Sequence, residues 1–212
     1  MTMVTDWHVY NINRSVVASG LPMRDEYDEK SFIFDTHCAN AQGSEVGMRH
    51  VARSIRLGSA PAGSGHDNYL SGILVSMNVT ASIKWWQQAQ RYHFFQIISS
   101  MSTMHKLRSM LKHGTIVFHP ATAHSVIEAF KLLLDEEDKI SDAELAYSCP
   151  SGLLLTAAVA TNYLQLKTMW NQRRGHKLPE WQEFCDWIEC LPGFVDLVGI
   201  AKDVPVKKEE NV

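Results

Sequence analysis

GHDNYLSGILVSMNVTASIKWWQQAQRYHFFQIISSMSTMH, residues 65–105, decides how the rest of the chain is read. A turn bearing His66 leads into an alternating segment and then into a helix. Val75, Met77 and Val79 alternate with Leu74, Ser76 and Asn78, the period of a half-buried strand. Thr80 stands where its hydroxyl can cap a helix that continues from Ala81 through Gln87, Gln88 and Ala89. On that helix Lys84, Gln87 and Arg91 are spaced to share one face. Beside Trp85 and Trp86, this cationic stripe is either a seat for an anionic, planar ligand or a solvated face next to core aromatics. Spacing alone leaves both open.

Upstream, Val16 and Val17 lead into the turn Ser19-Gly20-Leu21-Pro22, flanked by Arg14 and Arg24. SFIFD, residues 31–35, is a strand or a piece of helix, and Val46, His50, Val51 and Ile55 recur at helical spacing. LGSAPAGSGHDNY reads as a loop by composition and delivers His66.

Downstream, Ser99 to Thr103 form a hydroxyl-rich break before a basic helix, Met104 to Lys112, that ends at His113-Gly114. Ile116 to Phe118 make a short apolar stretch, and residues 121–134 an amphipathic helix followed by the acidic, solvated DEEDK. The longest helix is expected from Ser151 to about Arg174, with Leu153, Ala157, Ala160 and Leu164 as its buried stripe. A last helix, Pro179 to Cys190, turns Trp181, Phe184, Cys185 and Ile188 inward. VKKEENV, residues 206–212, is a polar tail beyond a single domain spanning 1–205.

With 212 residues, one sizeable domain is the natural size. A formal charge of -3 argues against a nucleic-acid grip, which needs a broad basic surface. No apolar run is long enough to span a membrane, and MTMVTDWHVY lacks a basic segment followed by an apolar one, so a cytoplasmic protein is expected. Cys38, Cys149, Cys185 and Cys190 form no CxxC pair and read as buried free thiols. The histidines include no HExxH or HxH, so no metal site is expected. The fold class is α+β, helix-rich with a small, mostly antiparallel sheet.

GHDNYLSGILVSMNVTASIKWWQQAQRYH resembles the central segment of the flavin-dependent thymidylate synthases, where a Gly-His motif and a strand lead through a helix into an Arg-His-Arg signature. CPSGLLLTAAVATNYLQLKTMWNQRR is similar to that family's Leu-Pro turn and long helix, and EWQEFCDWI to the helix that follows. The resemblance covers about residues 60–190 and points to a divergent phage or bacterial relative, acting in the host cytoplasm if phage-encoded. It implies FAD as cofactor, methylenetetrahydrofolate and NADPH as co-substrates, and a pyrimidine nucleotide, dUMP or a related one, as substrate. It also implies a homotetramer. The implied reaction is reductive one-carbon transfer, as methyltransferase or hydroxymethyltransferase.

Residue by residue, the resemblance gives His66, Arg91, His93 and Asn162 to the cofactor. It gives Arg173 and Ser102 to the nucleotide, with Lys106, Arg108 or Arg174 standing in for lost arginines there, and Arg173 and Arg91 as the catalytic pair. The family pattern is interrupted elsewhere. Tyr92 and His93 replace the signature's histidine and second arginine, Leu164 replaces an arginine, and Thr103 or Met104 falls where an arginine binds phosphate. Removing one charge-assisted hydrogen bond to a ligand costs about 1.5–3 kcal/mol. The same residues therefore also describe a nucleotide-binding phage protein, sequestering or regulatory, that kept the scaffold and lost catalysis.

Overall fold

The computed structural model describes residues 2–39, 44–61, 64–133 and 140–200. In chain order the elements begin with β1 (Val4–Tyr10), α1 (Ile12–Ala18), α2 (Glu29–Cys38), α3 (Glu45–Gly58), β2 (Leu74–Ser82), α4 (Ile83–Ala89) and β3 (Gln96–Ser100). They continue with α5 (Thr103–Lys112), α6 (His124–Leu132), α7 (Asp142–Tyr147), β4 (Leu154–Asn162), α8 (Tyr163–Arg173), α9 (Pro179–Glu189) and α10 (Phe194–Val198). The four strands form one sheet in the order β1-β2-β4-β3, so the class is α+β with a small antiparallel sheet, as expected. Register across the central pair follows from two backbone bonds, Ile83 N–H to Leu153 O and Tyr163 N–H to Ile73 O, each 3.0 Å. Partners on β4 fall in number as those on β2 rise, which only an antiparallel pair does.

The alternation along β2 is as read: Val75, Met77, Val79 and Ala81 are buried and the residues between them are not. The boundaries differ. β2 runs on to Ser82, and Ser82, not Thr80, caps α4, its Oγ accepting from Trp85 N–H at 3.1 Å. Thr80 instead faces Thr156 across the sheet, hydroxyl to hydroxyl at 2.7 Å. α4 closes at Ala89, so Arg91 lies beyond it and shares no helix face with Lys84 and Gln87.

The largest correction concerns Ser151 to Arg174. Its first part is strand β4, and helix begins only at Tyr163, capped by Asn162. Leu153, Ala157, Val159 and Thr161 are buried in a period of two, and pairing with β2 overrides the helix preference of the alanines. Among the described residues the longest helix is α3. Ser99 and Ser100, expected in a break, belong to edge strand β3, and β1 had no signal recognised in the sequence. SFIFD is helical, inside α2. α6 is shorter than expected and buries Phe130 while Val126 is exposed. The acidic DEEDK and the tail VKKEENV lie outside the described residues. The cysteines are free, but only Cys185 is buried, and Cys190 is exposed.

The chain divides into two compact units, Met1–Asp6 with Met77–Val159, and Trp7–Ser76 with Ala160–Val212. In the first, Leu107, Leu111, Phe130, Leu145 and Leu153 form a core cluster on which Ile116 and Phe118 pack. α7 is set by a capping box in which Ser141 and Glu144 serve each other's backbone N–H.

In the second unit α9 keeps its expected face, with Trp181, Phe184, Cys185 and Ile188 fully buried. Its most consequential polar feature is Lys167 on α8. The Nζ donates to Asp67 Oδ2 at 2.6 Å, to Gly58 O at 2.7 Å and to Ala60 O at 3.2 Å, using all three ammonium protons. Both side chains are buried, so the ion pair holds only because every donor is matched. A Cβ on Gly58 would meet Leu197 O at 1.7 Å, so only glycine lets α10 approach α3 there.

Candidate functional site

In the first unit the residues singled out by sequence sit on the stretch from the end of α4 to α5. Arg91 follows α4 and is exposed; among the described residues its side chain makes no hydrogen bond. His93 is exposed and edge-on to Phe94, ring centres 4.7 Å apart. Ser102 caps α5, its Oγ accepting from His105 N–H at 3.3 Å. Lys106 is exposed on α5. Arg108 is committed to structure: Nε donates to Asp142 and Nη2 to Ile140 O, both at 2.7 Å. Its Nη1 is buried with no hydrogen-bond partner.

The same unit holds a cavity of about 220 Å³ that none of these residues lines. Trp86, Gln87, Gln90, Ile97, Ser100 and Thr103 are among its walls. Trp86 is fixed there because its Nε1 donates to Leu155 O at 3.1 Å. An aromatic and aliphatic lining with two carboxamides is chemistry for a flat ring bearing both donors and acceptors. Gln87 was singled out by sequence on one helix face, and Gln90, a helical step further on beside the tryptophans, was not.

In the second unit, Asn162 and Arg173 occupy opposite ends of α8, roughly 16 Å apart by helical rise. Asn162 Oδ1 accepts from Gln165 N–H at 2.8 Å, so its carboxamide serves as the helix cap. The Arg173 guanidinium lies 4.8 Å over the Trp181 ring. Arg174 is paired with Asp186, and its Nε reaches Glu189 at 3.3 Å. His176 stands nearby with its pKa held below the ordinary imidazole value, by burial first and then by the charge of Arg173. The end of α8 is thus a positively charged corner in which Arg174 is neutralised from within.

His66 is exposed and lines a second cavity, of about 270 Å³, with Arg53, Arg56, Leu57 and Ala60 from the last turns of α3 and just beyond. The α3 arginines were not picked out from sequence, although they stand one turn apart. The structure therefore groups His66 with Arg53 and Arg56, and Arg173 with Arg174. It sets Asn162 apart from Arg173.

Burial pushes the Cys149 thiol up to about 11 and the Cys185 thiol up to about 12, so both are protonated at neutral pH and neither is a ready nucleophile. Among the described residues no group of three or more His, Cys, Asp or Glu side chains could hold a metal ion.

This arrangement of helices around a β1-β2-β4-β3 sheet is the fold of the flavin-dependent thymidylate synthases. Two solved structures of ThyX from Helicobacter pylori, each with FAD and dUMP, match it. One has a TM-score of 0.67 and 18% identity over 92% of this chain and 97% of that one. The other has a TM-score of 0.69 and 18% identity over 93% and 97%. No sequence profile of a known family matches the chain, and no curated protein matches it. At this identity the likeness is one of fold.

Proposed function

We propose that this chain is a flavin-dependent thymidylate synthase-like protein that binds FAD and a pyrimidine nucleotide, dUMP or a near relative, and transfers a one-carbon unit to it. The observation that carries the reading is the match of nearly the whole chain to structures holding both ligands. Its residues fit the flavin in part. His66 lines a cavity, and Arg91 has a side chain free for a ligand among the described residues, whereas the Oδ1 of Asn162 is spent on a helix cap.

When bound, reduced flavin supplies the hydride for the reaction. The protein's task is to orient the pyrimidine and hold the negative charge that develops on it, and in this reading Arg173 does so, its guanidinium held 4.8 Å over the Trp181 ring. Arg91 is its catalytic partner in this reading, with His93 beside the cofactor and Lys106 and Ser102 toward the nucleotide. Methylenetetrahydrofolate and NADPH are the co-substrates, and a cytoplasmic homotetramer is the assembly.

A second reading is favoured by a specific observation. Arg108 and Arg174, two of the three cations named to replace the missing signature arginines, are both tied to carboxylates. A protein that binds the nucleotide and no longer turns it over fits that state. The deciding experiment is a visible spectrum of the purified protein with added FAD, followed by dUMP titration and a methylation assay with methylenetetrahydrofolate and NADPH. A flavin band and dTMP formation support the enzyme. Nucleotide binding without turnover supports the second reading, and indifference to both ligands defeats both.

A further inference from the structure

We propose that the cavity lined by Arg53, Arg56 and His66 binds a phosphoryl group, the anionic part of a phosphorylated ligand. Arg53 is half-buried, yet everything that holds it is neutral. Its Nε donates to Ser19 Oγ at 3.2 Å, and its Nη2 donates to Val16 O at 3.1 Å, to Val17 O at 3.3 Å and to His50 Nδ1 at 2.8 Å. The nearby carboxylate, Asp35, is taken by Arg24 and lies 3.3 Å from His50 Nε2. Arg53 therefore carries a charge that no carboxylate contacts among the described residues, and its Nη1 makes no bond there.

The guanidinium reaches this position because residue 20 is glycine. A Cβ there would stand 2.5 Å from Arg53 Cζ and 2.7 Å from Nη1. Arg56 comes from the next turn of α3, is exposed, and has no hydrogen-bond or ion-pair partner among the described residues, and the same holds for His66. Burial first, then the charge of Arg24, hold the Arg53 pKa below the usual guanidinium value; Asp35 opposes them, and Arg56 adds a smaller push in the same direction as Arg24. Such like-charge crowding is relieved by an oxyanion, and phosphate oxygens match the planar donor set of arginine. Arg56 alone, in the last turn of α3, would do no more than complement the helix dipole. Dipole complementarity does not account for Arg53, which lines the same cavity with no carboxylate in contact among the described residues. The cavity, about 270 Å³, lies near the lower end of ligand clefts, about 300 Å³, a size for a phosphoryl group and part of what bears it.

Because His66 is also assigned to the cofactor above, the proposal rests in part on that reading, and the experiment separates the two. Calorimetric titration of the full chain uses inorganic pyrophosphate, FAD and riboflavin. Pyrophosphate is expected to bind the wild type, to bind Arg56→Gln at least about tenfold more weakly, and to bind Arg49→Gln, on an exposed part of α3 outside the cavity, unchanged. Circular dichroism verifies that the exposed substitutions leave the fold intact. Pyrophosphate binding that depends on Arg56 without any FAD binding upholds the phosphoryl site and removes the flavin reading. FAD binding equal in the wild type and Arg56→Gln, with pyrophosphate absent or indifferent to the substitution, removes the phosphoryl site and leaves the flavin reading standing.

Discussion

Arg173 and Lys167 stand within two turns of each other on α8 and are held in opposite ways. Lys167 is buried with its donors matched, whereas Arg173 is half-buried with its guanidinium over Trp181. The first is structural. Lys167→Met leaves the Asp67 carboxylate buried without its cation, and urea denaturation is expected to show a loss of about 3–5 kcal/mol. Pairing it with Asp67→Leu should restore much of that loss. In the proposed function the second serves the ligand. Arg173→Gln should weaken dUMP binding by roughly ten- to a hundredfold in calorimetry while the melting temperature without ligand changes little. His66, Arg91 and Arg173 are nominated by the resemblance to a family motif. Arg53 is not, since its proposed role depends on Gly20 and Ser19, far away in the chain and brought to it only by folding, as well as on His50 one turn before it.

At the scale of elements, patterns were legible where a single face is buried. The alternation in β2 and the inward face of α9 are properties of one strand and one helix, and both were read correctly. β4 was misread because LLTAAVATN is rich in alanine, whose local preference is helical, and its true state is decided by pairing with β2. β3 hid for a related reason: an edge strand of mostly exposed residues carries little hydrophobic signal. The start of α4 was misplaced by two residues because Thr80 and Ser82 both have capping side chains, and only the length of the cross-strand ladder distinguishes them. Ser82→Ala should accordingly cost about 1 kcal/mol in chemical denaturation, the usual value of a lost N-cap.

Across the whole molecule, the fold was legible and the chemistry only partly so. The order of pieces between residues 60 and 190 led to the flavin-dependent thymidylate synthase fold, which the solved structures share along most of their length. The candidate site was harder to read because, set against the motif the chain resembles, several arginine positions hold other residues and spacing alone does not say what takes their place. Stability should also respond to pH through His50. Burial, and then the charge of Arg53, keep its folded-state pKa below the ordinary imidazole value, against the smaller opposing effect of Asp35. The unfolded chain therefore takes up this proton first. Stability from neutral His50 is complete above the ordinary imidazole value and declines as pH falls from there toward the folded value. The denaturation midpoint should drop as pH falls through the ordinary imidazole value toward the lower folded value, and His50→Gln should flatten that part of the curve.

The threefold grip on Lys167 gives the molecule a built-in clock. An amine-acylating reagent should modify the exposed Lys84, Lys106 and Lys177 at once. It can reach Lys167 only in the intervals when Asp67, Gly58 and Ala60 have let go. Mass-spectrometric labelling of that one amine over time therefore counts openings of α8 from its surroundings, and a ligand that tightens the second unit should slow the count.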